Sequence, residues 1–272
     1  MTDYKKLLRK ANKLRITTLE MISRANSGHP GGSLSCLDVL TALYFGGILR
    51  HFPKKPNDSR RDYFVLSKGH ASAAFYAVLA ERGFFPKKDL KTFRQINSYL
   101  QGHPTPSTPG VEVATGSLGQ GLSFSVGLAL AMRSDNKPNH VFTILGDGEI
   151  EEGQVWEAAM SAAHFRLGNL TAIIDRNHLQ IDGKTKKVMT VAPVAEKFRA
   201  FGWKVIEIDG HNFQQILSAL KKAKIAKTKP VMIIAHTIKG KGAPCAENNF
   251  AYHGVPLSAK ELAEARKNLQ TV

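Results

Sequence analysis

Cysteine is scarce: only Cys36 and Cys245 occur, far apart and outside any CxxC spacing. That excludes a cysteine zinc site and a disulfide framework, and it leads us to expect a reducing, cytoplasmic location. Long apolar runs are missing too. No stretch approaches the ~20 residues a membrane helix needs. No apolar segment follows the basic residues Lys5, Lys6, Arg9, Lys10, Lys13 and Arg15, so a secretory signal is not expected. Acidic residues are in deficit, with 22 Asp and Glu against 38 Lys and Arg, for a formal charge of +16. A charge of this size raises the question of nucleic acid. The positive residues are spread along the chain, and neither an RNA-binding aromatic motif nor a finger spacing accompanies them. The dense run from Lys221 to Lys229 reads as the solvated face of a helix. No nucleic-acid or membrane partner is expected; a field of this sign draws anionic ligands or an acidic partner protein.

What is present is ordinary globular material. The 272 residues, 43 % hydrophobic, suffice for a substantial core. Five short apolar runs read as strands: 62–66, 141–145, 170–175, 204–208 and 231–235. Several are rich in Val and Ile and apolar on both faces, the mark of buried parallel strands. Segments with helical spacing lie between and around them, at 7–24, 34–49, 71–82, 118–132, 154–165, 193–201, 213–224 and 258–269. This alternation predicts an α/β fold, a parallel sheet with helices on both faces, formed by residues 1–272 as a single domain. The long Pro-, Thr- and Gly-rich loop 102–116 is expected to be functional or disordered.

Ligands of open parallel sheets bind beyond the carboxyl ends of the strands. Four of the five predicted ends carry polar and glycine residues: Ser67-Lys68-Gly69-His70, Gly146-Asp147-Gly148-Glu149, Arg176-Asn177-His178 and His236-Thr237-Ile238-Lys239-Gly240. Asp147 between two glycines reads, taken alone, as a helix cap. Asn177 changes the balance. It lies thirty residues on, at the end of the next strand. If the two strands are neighbours, a carboxylate and an amide oxygen meet at one rim. Such hard oxygen ligands suit magnesium, calcium or manganese rather than zinc, and a metal that completes its shell with phosphate oxygens. The stretch 116–121 has the spacing GxxGxG, which is not the dinucleotide fingerprint.

Gly146-Asp147-Gly148 followed by Asn177 resembles the cofactor motif of the thiamine diphosphate enzymes. Ser27-Gly28-His29-Pro30-Gly31-Gly32, the Ser67 to His70 run, Gly102-His103-Pro104, Thr115 to Gly121 and Tyr252-His253-Gly254 narrow the resemblance to transketolase, over nearly the whole chain. The resemblance implies the thiamine diphosphate-binding fold. Asp147, Asn177 and the backbone carbonyl of Leu179 would hold Mg2+ (or Ca2+ or Mn2+). Gly148, His70, His253 and Lys239 would reach the diphosphate, and Gly116, Ser117 and Leu118 the rings. His29, His103 and His253 would face the ketose oxygens, and Glu152 would link cofactor sites across a subunit interface. His51, His140, His164, His178, His211 and His236 match no catalytic position and are expected to be structural or at the surface.

The resemblance further implies ketol transfer between sugar phosphates, as in the pentose phosphate pathway. In that family the glutamate that activates the cofactor, and the groups that grip the sugar phosphate, belong to a second domain. None of it lies within these 272 residues. The expectation is therefore the N-terminal subunit of a split transketolase, paired with a C-terminal transketolase subunit, two copies of each. The alternatives are action on a sulfonated or branched sugar, or a non-catalytic cofactor-binding protein.

Overall fold

The computed structural model describes residues 3–271. Helix α1 (Tyr4–Ala25) begins where Asp3 accepts the Lys6 N–H and ends at Asn26 in the left-handed conformation. Then come α2 (Pro30–Ser35), α3 (Leu37–Phe45), β1 (Tyr63–Leu66), α4 (Ser72–Arg82), α5 (Gln120–Ser134), β2 (Val141–Gly146), α6 (Gly153–His164) and β3 (Leu170–Arg176). A two-residue hairpin follows, β4 (Leu179–Gln180) and β5 (Gly183–Lys184). The chain continues through α7 (Thr185–Val188), α8 (Val194–Ala200), β6 (Lys204–Asp209), α9 (Phe213–Lys224), β7 (Val231–His236) and α10 (Ala259–Gln270).

The five main strands form one sheet in the order β1-β2-β3-β7-β6, and every pairing is parallel. Alternation along the strands feeds two cores. Phe142, Ile144, Ile173 and Ile233 pack on one face with residues of α1, α3, α4 and α9. Val141, Leu145, Ala172, Ile174 and Ile234 pack on the other with α5, α6 and α8. Each fully buried side chain of this kind contributes about 1.5–3 kcal/mol, which is why the central strands are apolar on both faces. Strand β6 lies at the edge and carries Lys204, Glu207 and Asp209, charges that discourage further pairing. The expected α/β architecture is the one observed. Among the described residues no helix is long and apolar enough to cross a membrane.

One expectation needs correction. The segment 34–49 is not one helix: the chain bends at Cys36. On one side of the bend Ser35 Oγ reaches Asp175, 2.5 Å away, and on the other Asp38 meets Arg15 and His211, each at 2.7 Å. An unbroken helix has no reason to serve partners in such different directions. Gly46 and Gly47 then end α3, four residues earlier than expected. The loop 102–116 is ordered. Ser72 and Tyr76 on α4 donate to the carbonyl oxygens of Gly102 and His103, at 2.7 and 3.2 Å, and fasten it over the sheet rim.

Candidate active site

Register aligns the carboxyl ends of the central strands. Gly146 of β2 stands beside Asp175 of β3, and Arg176 of β3 beside His236 of β7. The residues just beyond therefore meet at one rim, around a cavity of about 270 Å³. Its walls bring together His70, Leu118, Asp147, Gly148, Glu152, Asn177, Leu179, Lys239 and His253, all expected site residues, together with Lys68, Glu149 and Gln180. A larger, more open depression of about 710 Å³ lies around Met160 and Phe201 and contains none of these groups.

Asp147 is buried, and its carboxylate is gripped from both sides, by Arg176 and by the backbone N–H of His178. Burial raises its pKa against the pull of Arg176. Asn177 Oδ1 accepts the Leu179 N–H at 3.1 Å, and its Nδ2 donates to Asp175 Oδ2 at 3.2 Å. The hairpin β4–β5, which the sequence did not lead us to expect, thus begins on Asn177 and hangs Leu179 and Gln180 over the cavity. Glu149 ties the Gly146 turn from beneath. It accepts the N–H groups of Gly146 at 2.7 Å and Gly119 at 3.0 Å and the hydroxyl of Ser67.

The opposite wall is cationic. Lys68 is paired with Asp175 at 2.6 Å. Lys239, 2 % exposed, makes no carboxylate contact among the described residues; its Nζ faces His253 Nδ1 at 3.0 Å. Burial, and then the charge of Lys68, lower the Lys239 pKa to about 8. His29 sits among the other three loop histidines, with ring centres 5.3 Å from His70, 5.5 Å from His253 and 6.4 Å from His103. Burial lowers the pKa of His29 to about 4 and that of His253 to about 3, each helped by a nearby cation, Arg94 and Lys239 respectively. His70 is held well below its usual value for the same reasons, and His103 is lowered as well. Lys239 and the His70 and His253 rings thus offer hydrogen-bond donors to an anion at this wall.

The remaining expected residues lie at the mouth or behind it. Gly116, with φ 138°, lies against the His103 ring, where a Cβ would come within 2.7 Å. Glu152 is exposed at the start of α6, in contact with Gly119. Ser117 is exposed, accepts a bond from Gln120 at 3.2 Å and does not line the cavity. Of the other six histidines, His140 bonds Thr171, His211 bonds Asp38, and His51 bonds the Leu49 carbonyl and Arg82. His178 serves the rim through its backbone, its N–H bonding Asp147 and its carbonyl accepting the Thr185 N–H. Lys68, Asp175, Glu149 and Arg94 were not singled out from sequence. The first three stand at strand ends already marked as polar, which was the available signal.

Among known proteins, the transketolase thiamine diphosphate binding domain matches residues 7–271. The 6-deoxy-6-sulfo-D-fructose transketolase subunit SqwG of Clostridium sp. (strain MSTE9) is 48 % identical, over 97 % of this chain and 96 % of that one. An apulose-4-phosphate transketolase subunit of Phocaeicola vulgatus is 43 % identical, over 94 % and 90 %. Rattus norvegicus transketolase is 41 % identical over 93 % of this chain, which spans 40 % of that protein. The crystal structure of transketolase from Campylobacter jejuni superposes with a TM-score of 0.94 at 38 % identity, over 99 % of this chain and 43 % of the other. The strand order, the rim and the sequence agree: this chain belongs to the transketolase family, as a thiamine diphosphate binding domain.

Proposed function

We propose that the cavity receives the diphosphate of thiamine diphosphate with a divalent metal, and that the chain works as one half of a two-subunit transketolase. The observation that carries this reading is the pairing of hard oxygens, Asp147 and Asn177, with the donors of Lys239, His70 and His253 across one cavity. Asp147, Asn177 and the Leu179 carbonyl would hold the metal. Among the described residues no three His, Cys, Asp or Glu side chains converge on a metal position. A protein offering so few ligands suits a metal whose shell is completed by diphosphate and water, which favours magnesium, with calcium or manganese as substitutes. Arg176 holds one oxygen of Asp147 and would share or yield it to the dication. His70, Lys239 and His253 would donate to the diphosphate, with Gly148 through its backbone. Gly116, Ser117 and Leu118 would cover the rings, Ser117 by its backbone alone.

When bound, the cofactor supplies the nucleophilic carbon that breaks and makes a ketose carbon–carbon bond. The protein orients the sugar and handles protons. His29, His103 and His253 would face its oxygens, stabilise the developing alkoxide and exchange protons there. Their lowered pKa values keep them neutral near pH 7, so each retains both a donor and an acceptor. Glu152, exposed at the cavity edge, would connect to a second site across a subunit interface.

Two relatives named as transketolase subunits match this chain nearly end to end, whereas it spans 40 % of the rat enzyme. That supports pairing with a C-terminal transketolase subunit; the proposal adds a tetramer with two copies of each, acting on sugar phosphates in the cytoplasm. The names of the same relatives favour a second reading of the substrate, a sulfonated or branched sugar in place of those of the pentose phosphate pathway. The test is reconstitution. The chain is expected to be inactive alone, and active with its C-terminal partner only when thiamine diphosphate and magnesium are present. Full ketol transfer by the isolated chain would overturn the two-subunit reading.

A further inference from the structure

Two cations sit against the inner nitrogens of two of the loop histidines, Lys239 from the cavity wall itself. Arg94 Nη2 lies 3.4 Å from His29 Nδ1, and Lys239 Nζ lies 3.0 Å from His253 Nδ1. A guanidinium carries donors and no acceptor, and so does an ammonium. The nitrogen facing each cation must therefore offer its lone pair, and the ring proton must sit on Nε2.

Arg94 is held in place at some cost. Its backbone is left-handed, with φ 58°, which a side chain with a Cβ rarely adopts. Its amide donates to the Leu100 carbonyl at 2.9 Å, and Nη1 donates to Ser27 Oγ at 2.8 Å. The guanidinium rests on Gly102, where a Cβ would stand 2.9 Å from Cζ, and lies 5.6 Å from the centre of the Phe93 ring. Its Nε is buried without a hydrogen-bond partner among the described residues. An unusual backbone and an orphaned donor are both unfavourable, and such features gather where function requires a fixed geometry. Lys239 is fixed in a similar way, its stem packed on Gly31, where a Cβ would come within 3.0 Å of Cε.

We propose that Arg94 and Lys239 are positioning residues that lock His29 and His253 as neutral imidazoles protonated on Nε2, so that both rings present N–H donors toward the substrate; the direction of the substrate rests on the function proposed above. The two rings stand edge to face with centres 5.5 Å apart, which suits adjacent oxygens such as the carbonyl and hydroxyl of an α-hydroxyketone. A ring locked this way stabilises a developing alkoxide by hydrogen bonding. It cannot accept a proton at Nε2, and a cation blocks Nδ1. Labour is therefore divided, and of the three histidines that would face the sugar only one keeps the proton-exchange role. His29 and His253 are electrostatic donors, and proton exchange falls to His103, whose ring has no cation bonded to it among the described residues.

The test reads the tautomer directly. Histidine is labelled with nitrogen-15, and two-bond proton–nitrogen correlation spectra of the full chain are recorded near neutral pH without cofactor, partner or sugar. His29 and His253, assigned with H29Q and H253Q, are expected as single Nε2–H forms. R94M is expected to turn His29 into a tautomer mixture while R94K preserves the single form; K239M and K239R should do the same for His253. The His140 signals, from a ring bonded to Thr171 at 2.8 Å, report that the fold is intact. Nδ1–H at either ring in the unsubstituted chain overturns the proposal, as do R94M and K239M spectra identical to it. If R94M fails to fold, S27A takes its place, since it frees the guanidinium without removing it. A mixed His29 signal then supports the proposal and an unchanged one overturns it. Because nothing is bound or turned over, the outcome is independent of whether the chain is half of a transketolase.

Discussion

Lys68 Nζ lies 2.6 Å from Asp175 Oδ2, with the two side chains 1 % and 2 % exposed. The same ammonium donates to the Gly32 carbonyl at 2.6 Å, and the carboxylate also accepts from Ser35 and Thr237, each at 2.5 Å. Four separated motifs therefore meet at one ion pair beneath the cavity. Burial opposes both charges, yet their attraction prevails: the Asp175 pKa is lowered and the Lys68 pKa raised.

Removing one member strands the other charge in the interior, which typically costs about 3–5 kcal/mol. Asp175→Asn and Lys68→Met are each expected to lower stability by that order in urea unfolding. The double substitution K68M/D175L, which removes both charges, is expected to recover much of the loss while weakening diphosphate binding. A D175N chain as stable as the original would show that the pair is not a sealed one.

The glycines of the sequence motifs serve as seats for cationic and imidazole side chains. A Cβ on Gly32 would stand 2.9 Å from His70 Nε2, and one on Gly116 would press on His103 from a backbone with φ 138°. Gly32→Ala and Gly116→Ala are expected to leave the core intact but to displace these rings. A strain of about 1–3 kcal/mol translates into roughly a tenfold or greater loss of reconstituted activity. Gly127 on α5 is the control, since a Cβ there meets nothing within 4 Å. Its replacement by Ala should stabilise the isolated chain by up to about 1 kcal/mol. Circular dichroism and a turnover assay separate the two behaviours.

The periodicity of the chain carried most of the fold, because central strands such as Val141 to Leu145 are buried on both faces and long helices such as α1 and α9 are amphipathic. The neighbouring positions of Asp147 and Asn177 could be anticipated for the same reason: each closes a strong strand, and those strands pair. What could not be read were partnerships across the fold. Lys68 and Asp175 are 107 residues apart, and nothing local in either motif points to the other. Glu149 resembles an ordinary first-turn acid until its carboxylate is seen accepting the Gly146 and Gly119 amides. Arg94 lies outside every motif, and its role depends on a left-handed backbone that a sequence does not display. The bend at Cys36 was hidden because the apolar pattern runs through it unbroken.

Acid should destabilise the chain through its buried neutral histidines, against the opposite pull of buried carboxyls such as Asp147 and Glu149 whose pKa is raised. The His140 ring has its pKa lowered from the ordinary 6.5 to about 4, chiefly by burial, with Asp62 pulling the other way. Between those values the unfolded chain binds a proton that the native ring refuses, so stability falls as pH drops through this window and is fully present above it. The difference amounts to about 3 kcal/mol for this one group. His29, His70 and His253 act with the same sign. Urea midpoints measured across the window are expected to fall steadily toward pH 4, and His140→Gln should flatten part of the slope. A flat profile from pH 6.5 to 4 would contradict the buried neutral rings.

Alkali should weaken the anion site through Lys239. Its pKa is lowered to about 8, by burial first and then by Lys68. A bound diphosphate reverses that balance, because it favours the ammonium. Below pH 8 the group is already charged, and binding needs no proton. Above it the empty site is neutral, and each binding event must take up a proton, so affinity should decline by up to about tenfold per pH unit. The probe is thiamine diphosphate with magnesium, followed by calorimetry in buffers of different ionisation heat. Proton uptake is expected to appear as pH rises through 8 and to vanish in Lys239→Met, whose affinity should be lower and insensitive to pH over the same range. If the unsubstituted chain takes up no proton there, Lys239 does not face the diphosphate, and the cationic wall of the cavity would have to rest on the histidines and the shared ammonium of Lys68.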